Sequence, residues 1–153
     1  MKKTMYLFMC LFVVFASGCA ATGPKYSSYH KMIPAIPAGK GRIYFYRDAS
    51  MMGGAIRPDI KLNGKAVGES LPGGFFFVDT APGKYSVSTS TEVERTLEFT
   101  LAPAETKYVR TSITMGFFAG HVAPGLVSKE EAEKALVDLS FAGKYDANHP
   151  KQE

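Results

Sequence analysis

The sequence predicts a mainly β fold, an antiparallel β-sandwich of about seven strands with one C-terminal amphipathic helix, and three observations carry it. Short segments of alternating polar and apolar residues succeed one another from Gly41 to Met115. Turn signals such as Asn63-Gly64, Pro72-Gly73-Gly74 and Pro82-Gly83 separate them, as a series of short strands requires. After Ser128 the apolar period changes from two to that of a helix. A sheet with one solvated face needs the first pattern, because successive side chains of a strand point to opposite faces.

The elements follow in order. Arg42–Arg47 sets Ile43 and Phe45 on one face and Tyr44 and Tyr46 on the other. Asp59–Asn63 aligns Ile60 with Leu62 and runs into Asn63-Gly64, the pair that best accepts the positive φ angles of a tight hairpin. Lys65–Glu69 returns. Phe75–Thr80 is an aromatic strand, and Lys84–Thr89 places Tyr85, Val87 and Thr89 together. Arg95–Leu101 aligns Leu97, Phe99 and Leu101; after Ala102-Pro103-Ala104-Glu105, Lys107–Met115 is expected to complete a hairpin with it. Ser128 and Glu131 have the spacing of a capping box. Ala132, Ala135, Leu136 and Leu139 then form one apolar stripe on a helix spanning 129–139.

Residues 1–18 have the form of a targeting segment and stand outside the fold. Lys2 and Lys3 precede the uncharged apolar run Met5–Ala16, which is too short to cross a bilayer core needing about 20 helical residues. Ala16-Ser17-Gly18-Cys19 follows. Small residues directly before a cysteine resemble the lipobox of bacterial lipoproteins, although Ala16 stands where that pattern favours leucine. The resemblance implies cleavage between Gly18 and Cys19, with diacylglycerol and an N-acyl lipid on Cys19. No other cofactor is expected. Cys10, the other of the two cysteines, would leave with the signal, so the mature chain would hold no disulfide or cysteine metal site.

Cleavage would leave 135 residues, enough for one domain. Loss of Lys2 and Lys3 lowers the formal charge from +4 to +2. Basic and acidic residues are interspersed, without the basic face that nucleic-acid binding requires. Residues 19–40, rich in Pro, Gly and Ser, read as the lipidated cysteine and a flexible tether spanning roughly 25 Å as a coil. Met32, Ile33 and Ile36 could lay part of it on the domain. The domain is expected over 41–142, with 143–153 a polar tail.

Chemistry is sparse. His30 and His149 fall in the tether and the tail, and His121 in an apolar, glycine-rich loop, Gly116–Leu126. A hydrolase would need His121 to meet a carboxylate such as Asp79 and a serine, and nothing local brings them together. Zinc needs clustered Cys and His; calcium needs closely spaced oxygen ligands. Asp48, Asp59 and Asp79 are isolated, so neither metal is expected. Met51-Met52-Gly53-Gly54 and Pro72-Gly73-Gly74 lack the phosphate-loop lysine and hydroxyl and read as turns. Two non-catalytic readings remain. Phe117, Phe118 and His121 could contact a partner protein, or Phe117, Phe118 and Val122 could fill the sandwich end beneath the helix. Tyr44, Tyr46 and Tyr108 could stack on cell-wall glycan if one sheet face exposes them, or belong to the core.

GRIYFYR at 41–47, KLNGKAVGE at 61–69 and GGFFFVDTAPGKYSVST at 73–89 continue through LEFTLAPAETKYVR at 97–110 to EEAEKAL at 130–136. Together they resemble a family of small proteobacterial lipoproteins with a PEGA-like β-sandwich domain of unknown function. The resemblance implies architecture and a place in the envelope, and carries no catalytic residue. Ala20 after the lipidated cysteine, in place of the aspartate that resembles an inner-membrane retention signal, implies the periplasmic face of an outer membrane. The expectation is a non-enzymatic module for protein interaction or envelope assembly, with glycan or peptidoglycan binding as the alternative.

Overall fold

The computed structural model describes residues 21–50, 53–90, 94–115 and 120–143. Among the described residues, nine strands form two sheets: β1 (Gly41–Arg47), β2 (Asp59–Leu62), β3 (Lys65–Glu69), β4 (Gly74–Thr80), β5 (Gly83–Ser90), β6 (Glu94–Leu101), β7 (Thr106–Met115), β8 (Gly120–Val127) and β9 (Ser140–Phe141). Helix α1 (Tyr26–Tyr29) runs into a 3₁₀ turn at His30–Met32, and α2 spans Lys129–Leu136. One sheet has the order β8-β7-β1-β4-β9 and the other β3-β2-β5-β6. The β-sandwich with its C-terminal helix is therefore the fold.

Between the sheets, Ile43 and Phe45 of β1 meet Ile60, Val87 and Val109, all within one core cluster and at most 1% exposed. Phe45 stacks on Phe76 at 5.0 Å. The β2–β3 turn forms as its residues dictate: Asn63 and Gly64 have φ of 49° and 80°, a tight turn in which both central residues carry positive φ. Asn63 also fastens the turn to β5, its Oδ1 accepting from Ser86 N at 2.8 Å.

β6 and β7 do not form the expected hairpin. They lie in different sheets, and Ala102–Glu105 is a corner between layers. Glu105 Oε2 accepts from Ala102 N at 2.7 Å, and Arg42 N donates to Glu105 O. β7 consequently joins β1 in parallel, while β1 pairs antiparallel with β4. The hairpin partner of β7 is β8, from Tyr108 opposite Val127 to Met115 opposite Gly120. The reading of 116–126 as a loop is thus corrected over 120–127. Gly and Pro hid this strand; as a sheet edge, it tolerates Pro124. Thr89 Oγ1 of β5 donates to Val122 O at 2.6 Å, drawing the two sheets together there.

The expected flexible tether also needs correction. α1 packs on the outer face of the first sheet, with Tyr29 0% exposed. Tyr29 lies 4.7 Å from Phe141 and 6.3 Å from Phe75. Backbone bonds fix the approach: Tyr26 N to Leu139 O at 2.9 Å and Phe141 N to Pro24 O at 2.8 Å. Gly23 is required here, because a Cβ would come within 2.2 Å of Phe141 O. α2 covers the rest of that face with Ala132 and Leu136. Ser128 caps α2, its Oγ accepting from Glu131 N at 3.2 Å. The helix stops at Leu136, short of the expected 139, but Leu139 is still buried.

Two arginines of β1 enter this architecture. Arg42 grips Asp79 through two bonds of 2.6 and 2.7 Å, with its guanidinium 4.2 Å from the Phe77 ring centre. Arg47, 3% exposed, donates to the carbonyls of Gly53, Ile56 and Ser70 and ties those loops to the sheet. Its burial lowers its pKa.

Candidate functional site

Alternation along β1 sends Arg42, Tyr44 and Tyr46 to the helix-covered face. There Tyr44 stands opposite Tyr108, and Tyr46 opposite Arg110, across the parallel pair. Tyr44, Tyr46 and Tyr108 are 7%, 2% and 8% exposed. Tyr44 already stacks on Tyr108 at 5.4 Å. These rings offer no platform to a sugar, which corrects the glycan reading built on them. β1 is a central strand covered on both sides, so its outward-alternating positions are core.

Burial has a titration consequence. It pushes the Tyr108 phenol from its ordinary 10.0 to about 12, with Glu133, Tyr26 and Tyr44 adding to the rise. Tyr26, Tyr44 and Tyr46 are also raised, chiefly by burial. A raised phenol means that the unfolded chain gives up its proton first. The stability these groups contribute is full below about pH 10 and is lost as pH rises towards about 12. A urea midpoint falling above about pH 10, with tyrosinate absorbance delayed relative to free tyrosine, is the expected result. A midpoint unchanged through that range contradicts it.

Where β1 ends, a cleft of about 520 Å³ opens between β1, β7 and α2. Tyr46 and Asp48 come from the end of β1, Arg110 from β7, and Ser128, Glu130, Glu131 and Lys134 from the start and outer side of α2. The Arg110 guanidinium pairs with Asp48 and, at 3.2 Å, with Glu131. Tyr46 feels all three: Arg110 lowers its pKa, and Asp48 and Glu131 raise it. The Tyr46 hydroxyl and Arg110 Nε are buried, and neither has a hydrogen-bond partner among the described residues. The mixed charges suit non-covalent recognition of a polar segment, with Arg110 as the one donor fork able to hold a carboxylate.

Of the partner-contact and glycan-contact candidates among the described residues, Tyr46 alone lines this cleft. His121 lies on β8, three strands from β4, which carries Asp79, or about 14 Å at ordinary strand spacing. Both Asp79 oxygens are held by Arg42. His121 and Asp79 are therefore not brought together. Phe117 and Phe118, like Gly18 and Cys19, lie outside the described residues. Among the described residues, no group of three or more His, Cys, Asp or Glu is placed to hold a metal, and no helix is long and apolar enough to cross a membrane. The grouping of Asp48, Arg110 and Glu131 was not legible in the sequence, because the cleft is assembled from three distant segments.

Residues 37–125 match a family model described as protein of unknown function, DUF2846. An uncharacterized protein of Haemophilus influenzae is 31% identical over 105 residues, covering 68% of this chain and 62% of that protein. The chain thus matches less than two thirds of that relative's length.

Proposed function

The chain belongs to the DUF2846 family, and from that premise we propose that it is a lipid-anchored, non-catalytic binding module of the bacterial cell envelope. Its anchor is the lipid on Cys19, and its place is the periplasmic face of an outer membrane. The positive Lys2-Lys3 start, the apolar Met5–Ala16 run and Ala16-Ser17-Gly18-Cys19 support this. The closer likeness to PEGA-like lipoproteins belongs to the same proposal, supported by the sandwich and its aromatic strand.

The working contact is the cleft at Arg110, and its occupant is a polar segment of an envelope protein. One observation carries this reading: the part-exposed Arg110 guanidinium lines the cleft, held between the carboxylates of Asp48 and Glu131. A ligand carboxylate that displaces Asp48 or Glu131 from Arg110 would exchange one charge-assisted bond for another.

Photo-crosslinking in living cells from Lys134, with exposed Thr96 on the second sheet as control, tests the reading. One protein adduct specific to Lys134 is expected, reduced about tenfold or more by Arg110→Ala, the loss typical of an arginine anchor at an interface. The Arg110 side chain is 39% exposed, so the variant keeps its fold. An adduct indifferent to Arg110→Ala, or equally strong from Thr96, overturns the reading.

A further inference from the structure

A second concavity lies at another place on the surface, and its chemistry is different. It encloses about 600 Å³ between Ala21, Ala49, Gly54, Ala55, Pro72 and Gly73. Their methyl groups, proline ring and glycine backbone make most of the lining apolar, which suits a slim, flexible hydrocarbon chain, and Lys25, Ser50, Asp138 and Ser140 complete it. Both walls are held in place. Arg47 donates to Gly53 O at 2.8 Å and Ile56 O at 2.7 Å, fixing the turn that bears Gly54 and Ala55. Ser140 N donates to Gly73 O at 2.9 Å, fixing the other side.

Ala21 is part of this wall, and Cys19 precedes it by two residues. Two residues of extended chain reach at most about 7 Å. The chain beyond Ala21 has no slack. Gly23 abuts Phe141, Phe141 N holds Pro24 O, and Lys25 Nζ donates to Asp138 O at 2.6 Å. A group attached to Cys19 is therefore within reach of the groove wall at Ala21.

We propose that this groove is an acyl-binding site that takes one fatty-acyl chain of the lipid on Cys19. The inference rests on the lipidation proposed above. The remaining acyl chains stay in the membrane, so the groove end of the domain is held against the bilayer. Attachment two residues away gives the bound chain a large advantage over any free lipid, because linkage raises its local concentration.

The test uses the full-length protein made in bacteria fed a diazirine-bearing fatty acid, irradiated in membranes and read by mass spectrometry. The expected product joins the lipidated N-terminal peptide to residues 49–55 or 72–73 of the same chain. Ala55→Trp, at an exposed position on the groove wall, is expected to lower that product about tenfold by occupying the space. Thr96→Trp on the far sheet is expected to leave it unchanged. A groove crosslinked to free phospholipid, or to no lipid although Cys19 is acylated, overturns this inference alone. Absence of lipid from Cys19 overturns both it and the anchor.

Discussion

Asp79→Ala is expected to destabilise the domain by about 3–5 kcal/mol, the usual result of removing one partner from a buried ion pair. The cause lies in what stays behind. Arg42 is only 4% exposed, and its guanidinium is pressed against the Phe77 ring at 4.2 Å. Without the carboxylate it is a buried cation with two bonds lost, 2.6 and 2.7 Å in the native pair. Replacing both partners, as Arg42→Met with Asp79→Leu, is expected to recover most of the loss, since apolar isosteres of a buried pair are often neutral. Urea denaturation of the three proteins checks this. An Asp79→Ala midpoint equal to wild type would mean that the pair is solvated and energetically idle.

Tyr29→Ala is the second large effect, about 3–5 kcal/mol by analogy with other buried aromatic truncations. Tyr29 is 0% exposed between Phe75 and Phe141, so its loss opens a cavity on the outer face of the first sheet. Met32→Ala, three residues on and 52% exposed, is the control and is expected to change little. A free tether would make the two substitutions alike. Equal melting temperatures for Tyr29→Ala and wild type would therefore detach residues 21–33 from the fold.

That contrast shows what could be read from the chain and what could not. The strand from Gly41 to Arg47, the Asn63-Gly64 turn, the aromatic strand at 75–80 and the capped helix were legible, because local rules govern each of them. Tyr26-Ser27-Ser28-Tyr29 was not, because four residues between glycine and proline carry no periodicity. Its helix exists by tertiary packing on Phe75 and Phe141. Tyr44 and Tyr46 misled for a related reason: alternation says which face a side chain takes, not whether a helix later covers that face. β8 was hidden by Gly120, Pro124 and Gly125, which an edge strand tolerates. The cleft at Arg110 could not be found locally at all. Arg110 was one residue within the strand Lys107–Met115, and Asp48 an isolated acid. Only the parallel register of β1 and β7 and the docking of α2 bring them together.

The parallel pairing of β1 with β7 bears on how the chain acquires its fold. β1 emerges first of the nine strands, yet one of its neighbours is β4 and the other is β7, two-thirds of the way along the sequence. The central strand of the sheet must wait, half-paired, until the corner at Ala102–Glu105 has carried the chain across from the other layer. Such non-local closure is entropically costly and places β-rich domains among the slower folders. The β5–β6 and β7–β8 hairpins pair neighbouring residues, whereas the β1–β7 pairing joins residues some 64 apart, such as Arg42 and Thr106. In the interval, the apolar residues of β1 stay open to other chains, so folding and aggregation compete at this strand.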